Sequence, residues 1–224
     1  DASIDLSSLD GRNGFALNGS GSSVSNAGDV NGDGISDFIV GAAAADPHGD
    51  ASGAAYVVFG RTSGSSISVD LSSLDGTNGF KIDGASAGDF AGRSVASAGD
   101  VNGDGYDDVI VGAFAADPNG NLSGASYVIF GKGSGFGASI DVASLDGTDG
   151  FKLNGATAED RSGVSVASAG DVNGDGFADL IVGAPFSDPN GSSSGTSYVV
   201  FGRAPDTAVL RVGTNAAQTL AGGD

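Results

Sequence analysis

Between Arg93 and Gly131 the apolar positions fall into short runs, each closed by glycine, asparagine, aspartate or proline. "RSVASAG" around Val95 reads as a strand that enters an acidic loop, "DVIVGAF" as the strand that leaves it, and "ASYVIFG" as a third strand after the turn "ADPNGNLSG". Upstream, "GFKIDG" around Ile82 alternates as a half-exposed strand should, giving four short strands in this stretch. "VIVGA" and "YVIF" are continuously apolar, as strands covered on both faces are. Gly112, like Gly41 and Gly183, interrupts the most buried run and predicts a neighbouring backbone at close approach.

The pattern occurs three times. "GDVNGDGISDFIVGA", "GDVNGDGYDDVIVGA" and "GDVNGDGFADLIVGA" place acidic loops at Asp29, Asp100 and Asp171, a step of 71 residues each time. Val24, Val95 and Val166, the Asp-Pro pairs from Asp46, Asp117 and Asp188, and Tyr56, Tyr127 and Tyr198 keep the same step. A second landmark, "SIDLSSLDGRNGF", recurs from Ser68 and Ser139, but its first spacing is 65, because unit one lacks six residues between Phe15 and Asp29. The expected division is three repeats over 1–203 (about 1–60, 61–131 and 132–203), followed by a tail over 204–224. Four strands per unit, with apolar faces one sheet cannot bury alone, predict stacked propeller blades in an all-β chain. About 71 residues is long for one solenoid coil.

Composition agrees with strands and turns: 39% of the 224 residues are apolar, mostly Val, Ile, Ala and Leu, and 41 are glycine. The formal net charge of −19 repels nucleic acid and anionic lipid. No disulfide can form without cysteine, and no apolar run approaches the roughly 20 residues that span a bilayer. A chain lacking Cys, Met and Trp and rich in Gly, Asp and Ser has the look of a secreted bacterial repeat protein, with Asp1 expected to be a processing boundary.

Each acidic loop carries oxygen side chains at positions 1, 3, 5 and 9: Asp29, Asn31, Asp33 and Asp37; Asp100, Asn102, Asp104 and Asp108; Asp171, Asn173, Asp175 and Asp179. The backbone carbonyls of Ile35, Tyr106 and Phe177 at position 7 are natural further ligands, and glycine at position 6 permits the sharp turn. An all-oxygen set suits calcium, which takes roughly 6–8 oxygen ligands, better than magnesium, zinc or copper. The loop is not an EF-hand, because position 12 holds Val40, Val111 and Val182 instead of glutamate. Asp, Asn and Gly also serve as simple turn formers, but three copies with every position filled favour one calcium ion per repeat.

The units "FAGRSVASAGDVNGDGYDDVIVGAF" and "GVSVASAGDVNGDGFADLIVGAP" resemble the FG-GAP repeat of integrin alpha subunits and of many secreted bacterial proteins. Gly-Ala-Pro is intact only at Gly183-Ala184-Pro185, and the Phe-Gly appears only as Phe90-Ala91-Gly92. The resemblance implies a β-propeller with calcium in a hairpin loop of each blade. Closed propellers hold roughly 4–8 blades, so three predict an incomplete ring with two uncovered faces, completed by self-association or by further blades. "TLAGGD" in the tail looks like the opening of a glycine- and aspartate-rich nonapeptide repeat.

Catalysis is not expected: His48 is the sole histidine and stands where the other units have Asn119 and Asn190, and no nucleophile elbow occurs. The loops "AADPHGDASG", "AADPNGNLSG" and "FSDPNGSSSG" are the candidates for binding a protein or matrix partner at the cell surface. Alternatives are a self-assembling subunit of a surface layer, filament or matrix, and a non-catalytic region of a larger secreted enzyme or toxin.

Overall fold

The computed structural model describes residues 3–62 and 67–204. The tail sequence "TLAGGD" lies outside them. In chain order the strands are β1 (Ala16–Asn18), β2 (Ser23–Gly28), β3 (Asp37–Ala42), β4 (Ala54–Val58), β5 (Ser68–Asp70), β6 (Gly79–Asp83) and β7 (Ser94–Gly99). They continue as β8 (Asp108–Ala113), β9 (Ala125–Ile129), β10 (Ser139–Asp141), β11 (Gly150–Asn154), β12 (Ser165–Gly170), β13 (Asp179–Ala184) and β14 (Thr196–Val200). Single 3-10 turns at Leu6–Ser8, Leu71–Ser73 and Val142–Ser144 are the described helical pieces, each N-capped by an aspartate side chain. No helix among the described residues is long and apolar enough to cross a membrane.

The chain is all-β and forms three blade-like sheets that do not close a ring. Strands β2, β3, β4 and β6 run antiparallel in order, with β10 added in parallel beyond β6. Strands β7, β8, β9 and β11 repeat the arrangement, and β12, β13 and β14 form the third sheet. The strand around Ile82 therefore does not pair with the three strands that follow it. It pairs with β4, and β11 likewise pairs with β9, so units two and three each donate their first long strand to the preceding blade. Alternation in "GFKIDG" predicts the strand but carries no information on which edge it joins.

Core packing follows from the two-sided burial. Ile39, Val57, Phe80 and Ile82 of the first blade pack on Val109, Val111, Tyr127 and Ile129 of the second. The opposite face of the second blade, with Ile110 and Val128, packs on Val166, Leu180 and Val182 of the third. Phe80 stacks on Phe136 at 4.6 Å between ring centres, and Phe59 meets both rings.

Two uncovered end faces are expected from three blades; the one on the first blade is covered in part, with Val24 on it still 76% exposed. The outer face of the first blade is covered by Phe15, Leu17, Val69, Leu71 and Leu74, which come from β1, β5 and the adjoining turns. Strands β1 and β5 pair in parallel, as β6 and β10 do. β1 is thus the outer strand of a blade that would precede the first.

The odd 65-residue spacing also has a structural reason. Gly84 donates its N–H to the Gly53 carbonyl, and Ala91 bridges the same Gly53. Residues 85–90 are therefore an excursion with adjacent ends, and unit one runs directly from Gly19 to Ser20 without it.

Blades approach closely where glycine interrupts the buried run. A Cβ on Gly41 would strike the carbonyl of Gly92, and one on Gly112 the carbonyl of Gly163. Gly183 meets nothing nearer than the Ser165 Cβ at 3.6 Å. Gly41→Ala and Gly112→Ala are expected to lower stability by about 1–3 kcal/mol, the usual cost of overpacking. Gly183→Ala should stay within about 0.5 kcal/mol of the parent in dilute denaturant titrations.

Candidate metal centre

Each acidic loop connects the first two strands of a blade and is shaped by its own carboxylates. In loop one the N–H groups of Asp33 and Gly34 donate to Asp29, Asp33 also donates to the Asn31 Oδ1, and Ile35 donates to the Asp33 Oδ1. Loops two and three repeat these bonds on Asp100, Asn102 and Asp104 and on Asp171, Asn173 and Asp175. Gly34, Gly105 and Gly176 adopt φ values of +83, +90 and +92°, the left-handed turn that glycine tolerates.

The ninth residue has a distinct place. Asp37 is buried and accepts from Val30 N–H at 2.9 Å and from Gly60 N–H at 2.7 Å. Asp108 does the same with Val101 and Gly131, and Asp179 with Val172 and Gly202. The carboxylate therefore joins the start of the loop to the end of the third strand. Burial pushes the Asp37 carboxyl up to about 6 despite its two N–H bonds, and the charges of Asp33 and Asp29 add to the rise. Asp108 is pushed up to about 8 by burial, with Asp104 and Asp100 contributing. Exposed Asp171 is held below the usual range by N–H bonds, that of Gly176 foremost.

The donor set fits a hard cation: carboxylate, amide and carbonyl oxygens within nine residues, with no described ion pair to any loop carboxylate. Among the described residues no three acidic side chains converge as a ready cage. The oxygens instead accept N–H bonds, two of them at the Asp100 and Asp171 Oδ1 atoms.

One relation between the loops is not readable from their pattern. The ring of Tyr106 lies over Gly32 and that of Phe177 over Gly103, so position 7 of one loop covers position 4 of the loop before. Asp107 N–H donates to the Asp29 carbonyl and Ala178 N–H to that of Asp100, while Lys132 and Arg203 N–H groups reach the carbonyls of Val30 and Val101. Asp29 N–H in turn donates to the Asp107 carboxylate. The aromatic at position 7 in loops two and three, against Ile35 in loop one, is the trace it leaves in the sequence, which does not show what the ring covers.

His48 has a structural partner: its Nδ1 lies 2.7 Å from the Gly84 carbonyl, the place where Asn119 donates to Gly155. The loops containing them are tied to the following unit, and Asp46 and Asp117 close their turns by accepting from Ala51 and Leu122.

The chain is similar to integrin alpha subunits. Over 131 residues the chain is 34% identical to Integrin alpha-PS2 of Drosophila melanogaster, covering 56% of this chain and 9% of that protein. It is 31% identical over 162 residues to Integrin alpha-4 of Xenopus laevis, covering 72% and 14%. It is 41% identical over 96 residues to Integrin alpha-7 of Homo sapiens, covering 42% and 7%. The chain thus spans a small part of the length of these relatives. The FG-GAP repeat model matches residues 20–58, 91–129 and 162–200, each containing one acidic loop and the inner three strands of one blade. Those matches together cover more than half of the sequence, and the chain belongs to the FG-GAP repeat family.

Proposed function

We propose that this chain is a calcium-binding extracellular propeller segment that serves adhesion or protein–protein contact without catalysis. The observation that carries the reading is the acidic loop, built three times with the same oxygen types in the same order and the same N–H bonds. A cation at positions 1, 3, 5, 7 and 9 neutralises carboxylates that otherwise repel one another and the buried ninth residue. Asp29, Asp33 and Asp37, with Asn31 and the Ile35 carbonyl, would hold the first ion. Asp100, Asn102, Asp104, Asp108 and the Tyr106 carbonyl would hold the second, and Asp171, Asn173, Asp175, Asp179 and the Phe177 carbonyl the third.

Because each loop packs on the next, ordering one loop supports its neighbour. At free calcium tenfold above the dissociation constant, linkage adds roughly 1.4 kcal/mol per site. Modest affinities of this kind fill where calcium is abundant, which favours the cell surface or the extracellular medium. The relationship to integrin alpha subunits supports a protein or matrix partner. A second reading, a self-assembling structural subunit, is favoured by the exposed apolar residues Ile181, Val199 and Phe201 on and beside the third blade.

Isothermal titration of the chelated protein with calcium is expected to show about three sites per chain. Asp100→Ala should remove one of them and lower the midpoint of thermal unfolding in calcium. Absence of binding in millimolar calcium would overturn the assignment.

The metal-free protein should also gain stability as the pH falls from about 8 to about 6, because the raised carboxyls of Asp37 and Asp108 bind protons in the folded state that the unfolded chain does not. Saturating calcium should flatten that slope, because a bound ion keeps both carboxylates ionised in the folded state as they already are in the unfolded one. Denaturant titrations at the two pH values, with chelator and with calcium, check both slopes, and a metal-free midpoint that rises with pH would contradict the buried-charge account.

A further inference from the structure

Loops one and two meet at a residue that the metal-ligand pattern leaves unused. Asp107 stands at position 8 of loop two, between Tyr106 and the buried Asp108. Its Oδ2 accepts the Asp29 N–H at 2.8 Å, and its own N–H donates to the Asp29 carbonyl at 3.2 Å. One residue of loop two thus holds both backbone groups of Asp29, the first oxygen donor of loop one. The bond to the carboxylate is charge-assisted and among the stronger kinds. Gly28, which leads into Asp29, lies so close that a Cβ there would strike the Asp107 side chain. No described ion pair engages Asp107.

The junction between loops two and three offers a comparison within the same chain. Ala178 N–H donates to the Asp100 carbonyl at 2.9 Å, Phe177 covers Gly103 as Tyr106 covers Gly32, and Arg203 N–H reaches the Val101 carbonyl as Lys132 N–H reaches that of Val30. Position 8 is Ala178, however, so loop three offers the Asp100 N–H no carboxylate. Backbone and ring contacts are common to both junctions, and the side-chain bond belongs to the first alone. Asp107 is not needed for the shape of its own loop, because loop three makes the same internal N–H bonds with alanine at that position.

We propose that Asp107 is a positioning residue that couples calcium binding in loop one to calcium binding in loop two. The Tyr106 carbonyl and the Asp108 carboxylate, which would hold the second ion, flank Asp107 on either side, so filling loop two fixes the backbone from which Asp107 reaches Asp29. Asp107 in turn fixes the peptide groups on both sides of the Asp29 Cα, and with them the direction of the first ligand of loop one. Coupling between two binding sites is reciprocal, so filling loop one raises the affinity of loop two by the same factor. Loops two and three lack the carboxylate and are coupled less. The inference rests on the calcium sites proposed above and adds that their affinities are not independent.

The test is a calcium titration of the full chain followed by nuclear magnetic resonance at the amides of Gly34, Gly105 and Gly176, the sixth residues of the three loops. Asp107→Ala, which copies the residue at position 178, is expected to raise the calcium midpoint of loop one by about fivefold, the low end of typical coupling between sites, and to leave loop three within about twofold of the parent. Asp107→Asn keeps an acceptor for the Asp29 N–H without the charge and should restore the parent midpoint in loop one. Asp33→Ala takes a ligand from loop one and should raise the midpoint of loop two by about the same fivefold, an effect that Asp107→Ala removes. In chelator the Asp29 amide hydrogen should exchange faster in Asp107→Ala than in the parent, a readout that needs no metal. A loop one midpoint that Asp107→Ala leaves within about twofold, an asparagine variant that behaves as the alanine variant does, or a loop two midpoint indifferent to Asp33→Ala would each overturn the coupling while the calcium sites stand. Glycine amides that do not move in millimolar calcium would overturn the sites and the coupling together.

Discussion

A sheet with apolar residues on both faces and no second layer of its own can bury them only on another sheet, and this constraint governs the whole chain. Val109 and Ile110 are neighbours on β8, point to opposite faces, and are both fully buried, one against the first blade and the other against the third. The second blade is thus the best covered, and the third exposes residues whose counterparts are fully enclosed. Stability in such an array comes mainly from nearest-neighbour interfaces, so the ends differ from the middle by construction.

Strand exchange between units makes those interfaces harder to separate. The first and second blades each take an outer strand from the following repeat, so parting two blades breaks a backbone ladder as well as an apolar contact. Glycines at positions 41 and 112 let the next backbone come close enough for this, and the six-residue excursion missing from unit one leaves the path intact because its ends already meet.

The buried aspartate at the ninth loop position ties the same architecture to the acidic loops. Asp37, Asp108 and Asp179 each accept from the loop's second residue and from the glycine that ends the third strand, so loop shape and blade shape are fixed together. Burial with other carboxylates close by raises the folded-state cost of the Asp37 and Asp108 charges. The contacts from Tyr106 to Gly32 and from Phe177 to Gly103 then carry the order of one loop into the next.

Much of this was legible in the residues themselves. The step of 71 residues, the strands in "VIVGA" and "YVIF", the glycine at the close approach and the oxygen types of each loop all follow from local pattern, because period, side-chain chemistry and backbone freedom are properties of short stretches. The partner of the strand around Ile82 was not legible, since alternation marks a strand without naming its edge. Nor was the cover that Phe15, Leu17 and Leu71 place on the first blade, which rests on contacts far apart in sequence. The sequence by itself determined three blades and three acidic loops; only the tertiary structure decided which unit completes which blade, because pairing and packing depend on what lies opposite a residue in space and not beside it in the chain.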